Sequence, residues 1–201
     1  VAVSNVSIAN GALSKIGAGQ IVSFDDETAA ARELTRRFDT IRDAELRRHV
    51  WSFAKARDSL AKLAEAPAFG FSYQYNLPAD FLRLLSAGEF SPGLNLDEYR
   101  DSIDREDYTI EGRRILTDYD SPLKIRYIRQ VTDPTQFDPA FVEALSARLA
   151  YELAIPLADS GPRKEEAWAD YKQALREAAR ANAIEIPAKA VDDDTWLRGR
   201  L

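Results

Sequence analysis

The side chains able to do chemistry are few in kind. Cysteine is absent, which excludes disulfides, iron–sulfur clusters, thiolate nucleophiles and Cys-based zinc sites together. That composition suits a reducing compartment. His49 is the one histidine, so a His-rich metal site is excluded within one chain. A hydrolase triad on it needs a nucleophile on a strained turn, and no G-x-S-x-G string is present. Its neighbours Arg47, Arg48 and Trp51 give it the setting of a packed helix position. Carboxylates number 33, enough for a glycosidase-like pair, but no spacing singles a pair out. Asp118-Tyr119-Asp120 and Asp192-Asp193-Asp194 lack the glycine and distal glutamate of an EF-hand loop. They read as solvated turn and tail charges. Gly17-Ala18-Gly19 follows a helical pattern and lacks a third glycine, so it reads as a turn rather than a dinucleotide loop. No Gly-Lys-Ser or Gly-Lys-Thr exists for a phosphate loop. The aromatic series from Phe69 to Tyr75 has the type to stack bases. Few basic residues accompany it, which favours a core face or a protein interface. The expectation is a chain with no catalytic, metal-binding or cofactor-binding residue, and no enzyme.

Size and charge agree with that reading. The 201 residues are 45% hydrophobic and 30% charged, the balance of a folded globular chain. No apolar run reaches the roughly 20 residues that span a bilayer. No basic-then-apolar leader is visible at the N-terminus, and the absence of Met at position 1 is read as a removed initiator. The net charge of -6 disfavours a protein that grips nucleic acid. It leaves room for one that encloses DNA without holding it.

The elements that position these residues fall into three kinds of segment. Ser4 to Ile16 repeats Val6, Ala9, Leu13 and Ile16 at helical spacing and stops at Gly17. Ser23, three residues before Asp26, is a variant capping signal for a second helix with Ala30, Leu34, Phe38 and Ile41 on one face. Leu46 to Leu63 is read as continuing helical, with a bend near Val50 and an end at Pro67. From Phe69 to Leu77 the period becomes two, a strand signal. Residues 80–86 are a strand or turn. Residues 88–107 carry seven acidic residues against two arginines and read as an exposed loop. Residues 108–110 and 114–116 form a hairpin pattern, and 123–131 another strand. Asp138-Pro139 then caps a helix with Phe141, Leu145, Leu149 and Leu153 at four-residue steps, ending near Pro156. Ser160-Gly161-Pro162 opens the last helix, striped by Trp168, Tyr171, Leu175 and Ala178. The expected architecture is mainly α with an inserted β subdomain (α+β). Residues 1–66 and 137–183 form a helical bundle, 67–136 a small antiparallel sheet, and 184–201 an extended tail. The tail strands Trp196 and Leu197 beyond the last helix, followed by Arg198 and Arg200. It either orders against a partner, with Trp as anchor, or folds back on its own bundle.

Particular strings add to this. Arg48-His49-Val50-Trp51-Ser52-Phe53-Ala54 resembles the R-x-H-P-W-N-F-A segment of the tail tubular protein A family, the head-to-tail adaptors of short-tailed bacteriophages. The run from Phe69-Gly70-Phe71 through Leu77-Pro78-Ala79-Asp80 to Leu82-Arg83 resembles that family's aromatic strand. Tyr108 to Gly112, Ile115 to Asp118 and Ile125 to Ile128 resemble its later hairpin. Val131 to Pro134 and Phe137 to Phe141 resemble the start of its next helix. Order and spacing agree over roughly residues 5 to 180. Val50 stands where the family often has proline, and Ser52 where it often has asparagine; the first change predicts a gentler bend.

The resemblance implies a structural virion protein of the tail or neck, made in the host cytoplasm. Such adaptors form a twelve-subunit ring between portal and tail nozzle, through which double-stranded DNA passes without specific binding and with no membrane contact. An acidic ring repels phosphates, which suits a conduit. On this reading Trp196, Leu197, Arg198 and Arg200 dock on the portal. Arg32, Arg36, Asp39, Arg42 and Asp43, on the charge-rich second helix, pair neighbouring subunits and set register; the alternative is a solvated face with pairs along one helix. The acidic loop 88–107 faces the nozzle or the lumen. Two other classes stay open: a tail-associated cell-wall hydrolase using two carboxylates, and a helical regulatory module.

Overall fold

The computed structural model describes residues 3–88 and 108–184. Among the described residues, four α-helices and six strands make an α+β fold. Helix α1 spans Asn5–Lys15 and α2 spans Ala29–Arg48. Strands β1 (Lys55–Leu60), β2 (Tyr73–Asn76), β3 (Phe81–Ala87), β4 (Tyr108–Glu111), β5 (Arg114–Thr117) and β6 (Leu123–Arg129) follow. Helices α3 (Pro139–Ala158) and α4 (Gly161–Ile184) close the described chain.

Local sequence explains most boundaries. Ser4 and Ser7 exchange hydrogen bonds in a capping box at α1. Gly17 ends that helix with φ of 67°, while Ala18 N–H bonds the Leu13 carbonyl at 3.0 Å. Asp138 caps α3 with Pro139 in its first turn. That helix carries Phe141, Leu145, Leu149 and Leu153, all fully buried. Apolar residues also occupy its other sides, as expected for a helix packed on several neighbours. It contacts α1, α2 and α4.

The strands form two antiparallel sheets, ordered β1-β6-β3 and β2-β5-β4. They face each other across a second core that includes Leu60, Tyr75, Ile115, Leu123, Ile125 and Tyr127. The far face of the first sheet gives Ile128 to the helical core, with Leu82 and Leu85 packed against it. The sheets are thus a middle layer and an outer layer beside the bundle.

Several expectations are corrected. The stretch Leu46–Leu63 is not one bent helix: α2 ends at Arg48, a 3-10 turn covers Ser52–Ala54, and β1 follows. Trp51, Ala54, Asp58 and Leu60 mimic a helical spacing, but β1 pairs with β6 from Lys55↔Ile128 to Leu60↔Leu123, and tertiary pairing overrides propensity. The middle region is therefore two sheets, and its first strand precedes residue 67. The aromatic strand is four residues rather than nine, because Gly70 turns the chain at φ of 89°. Asp26 does not continue a cap. It accepts from Val22 and Ser23 N–H in a turn, and Thr28 caps α2. Pro156 sits inside α3, which runs on to Ala158. The acidic stretch from residue 89 to 107, and residues 185–201 with Trp196, Leu197, Arg198 and Arg200, lie outside the described residues.

Phe141 contacts the rings of Trp51, Phe53 and Phe137, each at a centroid distance of 5.1 Å. Phe141→Ala should cost about 3–5 kcal/mol, the range for emptying a buried aromatic site. Urea unfolding checks this; a loss below ~1 kcal/mol would contradict the packing role.

Candidate functional site

The strings that stand out in the sequence converge in space at the end of α2. The Trp51 indole N–H donates to the Glu45 carbonyl at 2.9 Å, folding the chain back across the helix end. Asn182 of α4 clasps the same turn: its Oδ1 accepts from Ser52 N–H at 2.7 Å and its Nδ2 donates to the Val50 carbonyl at 2.9 Å. Arg83 of β3 donates to the Arg47 carbonyl at 3.1 Å, placing a cation on the negative end of the helix dipole. His49 packs edge-on against Trp51, with ring centroids 4.9 Å apart. Its ring nitrogen lies 3.5 Å from the Asn182 amide. Burial, followed by the charges of Arg83 and Lys55, lowers its pKa, so the imidazole is neutral at pH 7.

Beneath this turn sits a buried acid. The Glu45 side chain is 2% exposed. The Tyr171 hydroxyl lies 2.9 Å from each of its carboxylate oxygens. Arg48 Nε is 3.6 Å from Oε1, and the guanidinium groups of Arg48 and Arg148 lie over the Tyr171 ring. Burial raises the Glu45 pKa, opposed by the Tyr171 hydrogen bond and the two arginines. Burial and the Glu45 charge push the Tyr171 phenol up as well. A second tyrosine–acid bond joins other strings of the sequence. Tyr127 OH donates to Asp80 Oδ1 at 3.0 Å, and burial, ahead of that bond, pushes its pKa up to about 12.

The remaining acidic-turn and α2 residues that the sequence singles out, among those described, have partners within the chain. Asp118 accepts from Ser72 N–H, and Asp120 pairs with Lys62 at 2.9 Å. Arg32 donates to the Glu27 carbonyl and Arg36 pairs with Glu33. Asp39 is exposed and holds Arg42 at 2.7 Å. Arg42 is buried, bonded also to Asp43, whose other oxygen accepts from Gln130. Arg42 and Asp43 are therefore engaged within the chain, and Arg32, Arg36 and Asp39 are the members of that set left at the surface. Among the described residues no group of three or more His, Asp or Glu is placed to hold a metal ion. No described helix is long and apolar enough to cross a membrane.

Two of the surface recesses among the described residues flank the sheets. One, of about 520 Å³, lies between Pro67–Phe71 and the β4–β5 turn, with Phe69 almost fully exposed at its rim. The other, about 390 Å³, lies on the first sheet and is lined by Arg57, Ser59, Ser86, Lys124 and Arg126. The sequence reading missed this cluster because it took residues 55–60 as helical. The β1–β6 register is what sets Arg57 opposite Arg126. Comparison with known proteins adds no assignment: no family model and no curated protein matches the chain.

Because its folded pKa is raised, Glu45 contributes most favourably below its unfolded value near 4.5, and that contribution is lost as pH rises through the folded value. The Tyr171 bond favours the ionised form. Tyr171→Phe should therefore cost about 1–3 kcal/mol, the range for leaving a buried polar group without its partner, and more at pH 7 than near pH 4.5, where Glu45 is more fully protonated. Unfolding curves of both chains at the two pH values test this. Equal penalties would contradict it.

Proposed function

We propose that this chain is a structural subunit, a head-to-tail adaptor of a short-tailed bacteriophage. Twelve copies form a ring between portal and tail nozzle, and DNA passes through its centre. The observation that carries the reading is where the resembling strings lie. Trp51 and Phe53 from one string meet Phe137 and Phe141 from another in a single aromatic cluster. Asp80 from a third meets Tyr127 from a fourth. These strings are separated by long stretches of chain, yet each supplies a joint of the fold, the pattern expected when a sequence preserves a scaffold.

The acidic balance supports a conduit. A ring of chains of charge -6 repels phosphate and avoids adhesion to passing DNA. Neighbouring subunits meet in part through the exposed charges of α2, Arg32, Arg36 and Asp39. The apolar pair Trp196-Leu197, with Arg198 and Arg200, docks on the portal.

Binding to the portal ring encoded by the same genome tests this. The wild-type chain should bind. Trp196→Ala with Leu197→Ala should weaken binding at least about tenfold, the size of a modest hot spot, with an unchanged unfolding midpoint. Unchanged affinity would overturn the tail assignment. Failure of the wild-type chain to bind would overturn the adaptor reading.

A further inference from the structure

We infer that His49 is a proton switch on the end of the last helix: on taking up a proton its imidazole opposes the Asn182 clasp and frees the final turn of α4 from the α2 exit. This goes beyond the adaptor reading and does not depend on it.

The clasp dictates which form of the ring fits. Asn182 is buried, and two backbone bonds fix the orientation of its amide. Oδ1 accepts from Ser52 N–H at 2.7 Å, and Nδ2 donates to the Val50 carbonyl at 2.9 Å. Reversing the amide would set like groups against each other at both ends. The second N–H of Nδ2 is therefore what faces His49 Nε2, at 3.5 Å. Only an imidazole with a lone pair on Nε2 and its proton on Nδ1 can accept it. A proton on Nε2 leaves two N–H groups facing each other. The final turn of α4 has little else to hold it. Beyond Ala178, Asn182 is the one described residue of the helix that is buried, and Ile184 is largely exposed. The segment with Trp196 and Leu197 continues from this turn.

The surroundings oppose the charged ring as well. Arg83 of β3, held by the Arg47 carbonyl, and Lys55 of β1 both act against a positive imidazole. Arg47 and Arg48 precede it on α2, and Arg48 lies 3.6 Å from Glu45. From α4 the ring's bonding partner is the neutral Asn182, and Trp51 covers it edge-on. Among the described residues no carboxylate is bonded to the ring. A proton on this half-buried group would cost solvation and gain no partner. Once the clasp opens, the imidazole regains an ordinary pKa near 6.5. The open arrangement thus takes up a proton more readily than the closed one. Closure is complete above that value and weakens as pH falls below it.

Two measurements on the full-length protein test the switch. With one histidine in the chain, the imidazole signal in a nuclear magnetic resonance titration belongs to His49 alone. It should titrate below 6.5, with Nε2 the unprotonated nitrogen at neutral pH. Hydrogen exchange over the end of α4, corrected for the intrinsic pH dependence of exchange, should show opening at least about twofold more frequent at about pH 5.5 than at about pH 7.5. In His49→Gln the side-chain oxygen can accept the same bond and never becomes charged, so the opening should not respond to pH in this range. Three results would overturn the inference: titration of the wild-type ring at or above 6.5, equal opening of the wild-type helix end at the two pH values, or an acid response in His49→Gln as large as that of the wild type.

Discussion

The fold depends on how the chain leaves α2. A charged helix must give way, within a few residues, to a strand of a different layer, and nothing in local propensity forces that change. The Trp51 side chain forces it. Its indole bonds the Glu45 carbonyl, filling part of the unsatisfied helix end, while its ring is driven into the core beside Phe141. Arg83 and Asn182 then satisfy other polar groups of the same turn. With this turn fixed, β1 meets β6 in register, the first sheet lies against the bundle, and the second sheet packs on the first.

A buried carboxylate next to this turn carries a price in desolvation. Tyr171, Arg48 and Arg148 offset it by hydrogen bonding and charge. A site of this kind contributes specificity of arrangement more than net stability, since an apolar replacement avoids the desolvation altogether. Here the arrangement specified is α4 against α2, the contact that also brings Asn182 to the turn. Residues of the sheets and of the last helix are in this way tied to one point.

The helices were largely legible in the sequence because their stripes are long and their caps local. Phe141, Leu145, Leu149 and Leu153 recur at one spacing, and Asp138-Pro139 marks the start. The β4–β5 hairpin was legible from Glu111-Gly112-Arg113, with Gly112 at positive φ. Strand β1 was not legible, because Lys55, Arg57 and Asp58 give it the composition of an exposed helix and its pairing partner lies more than sixty residues away. The cationic recess was hidden for the same reason: Arg57 joins Lys124 and Arg126 of β6 only through that pairing. Trp51, Asp80 and Tyr127 were visible as parts of strings, but Glu45 and Asn182, and the bond that joins Tyr127 to Asp80, were not. Side-chain bonds across the fold leave no periodic trace.

The central claim is that this scaffold serves as one subunit of a ring seated on a portal. Light-scattering mass of the chain mixed with the portal ring from its own genome tests it most directly. The account predicts a complex heavier than the portal alone by about twelve chains, the ring size on which the adaptor reading rests. A mass equal to that of the portal alone, across low and high salt, would contradict it.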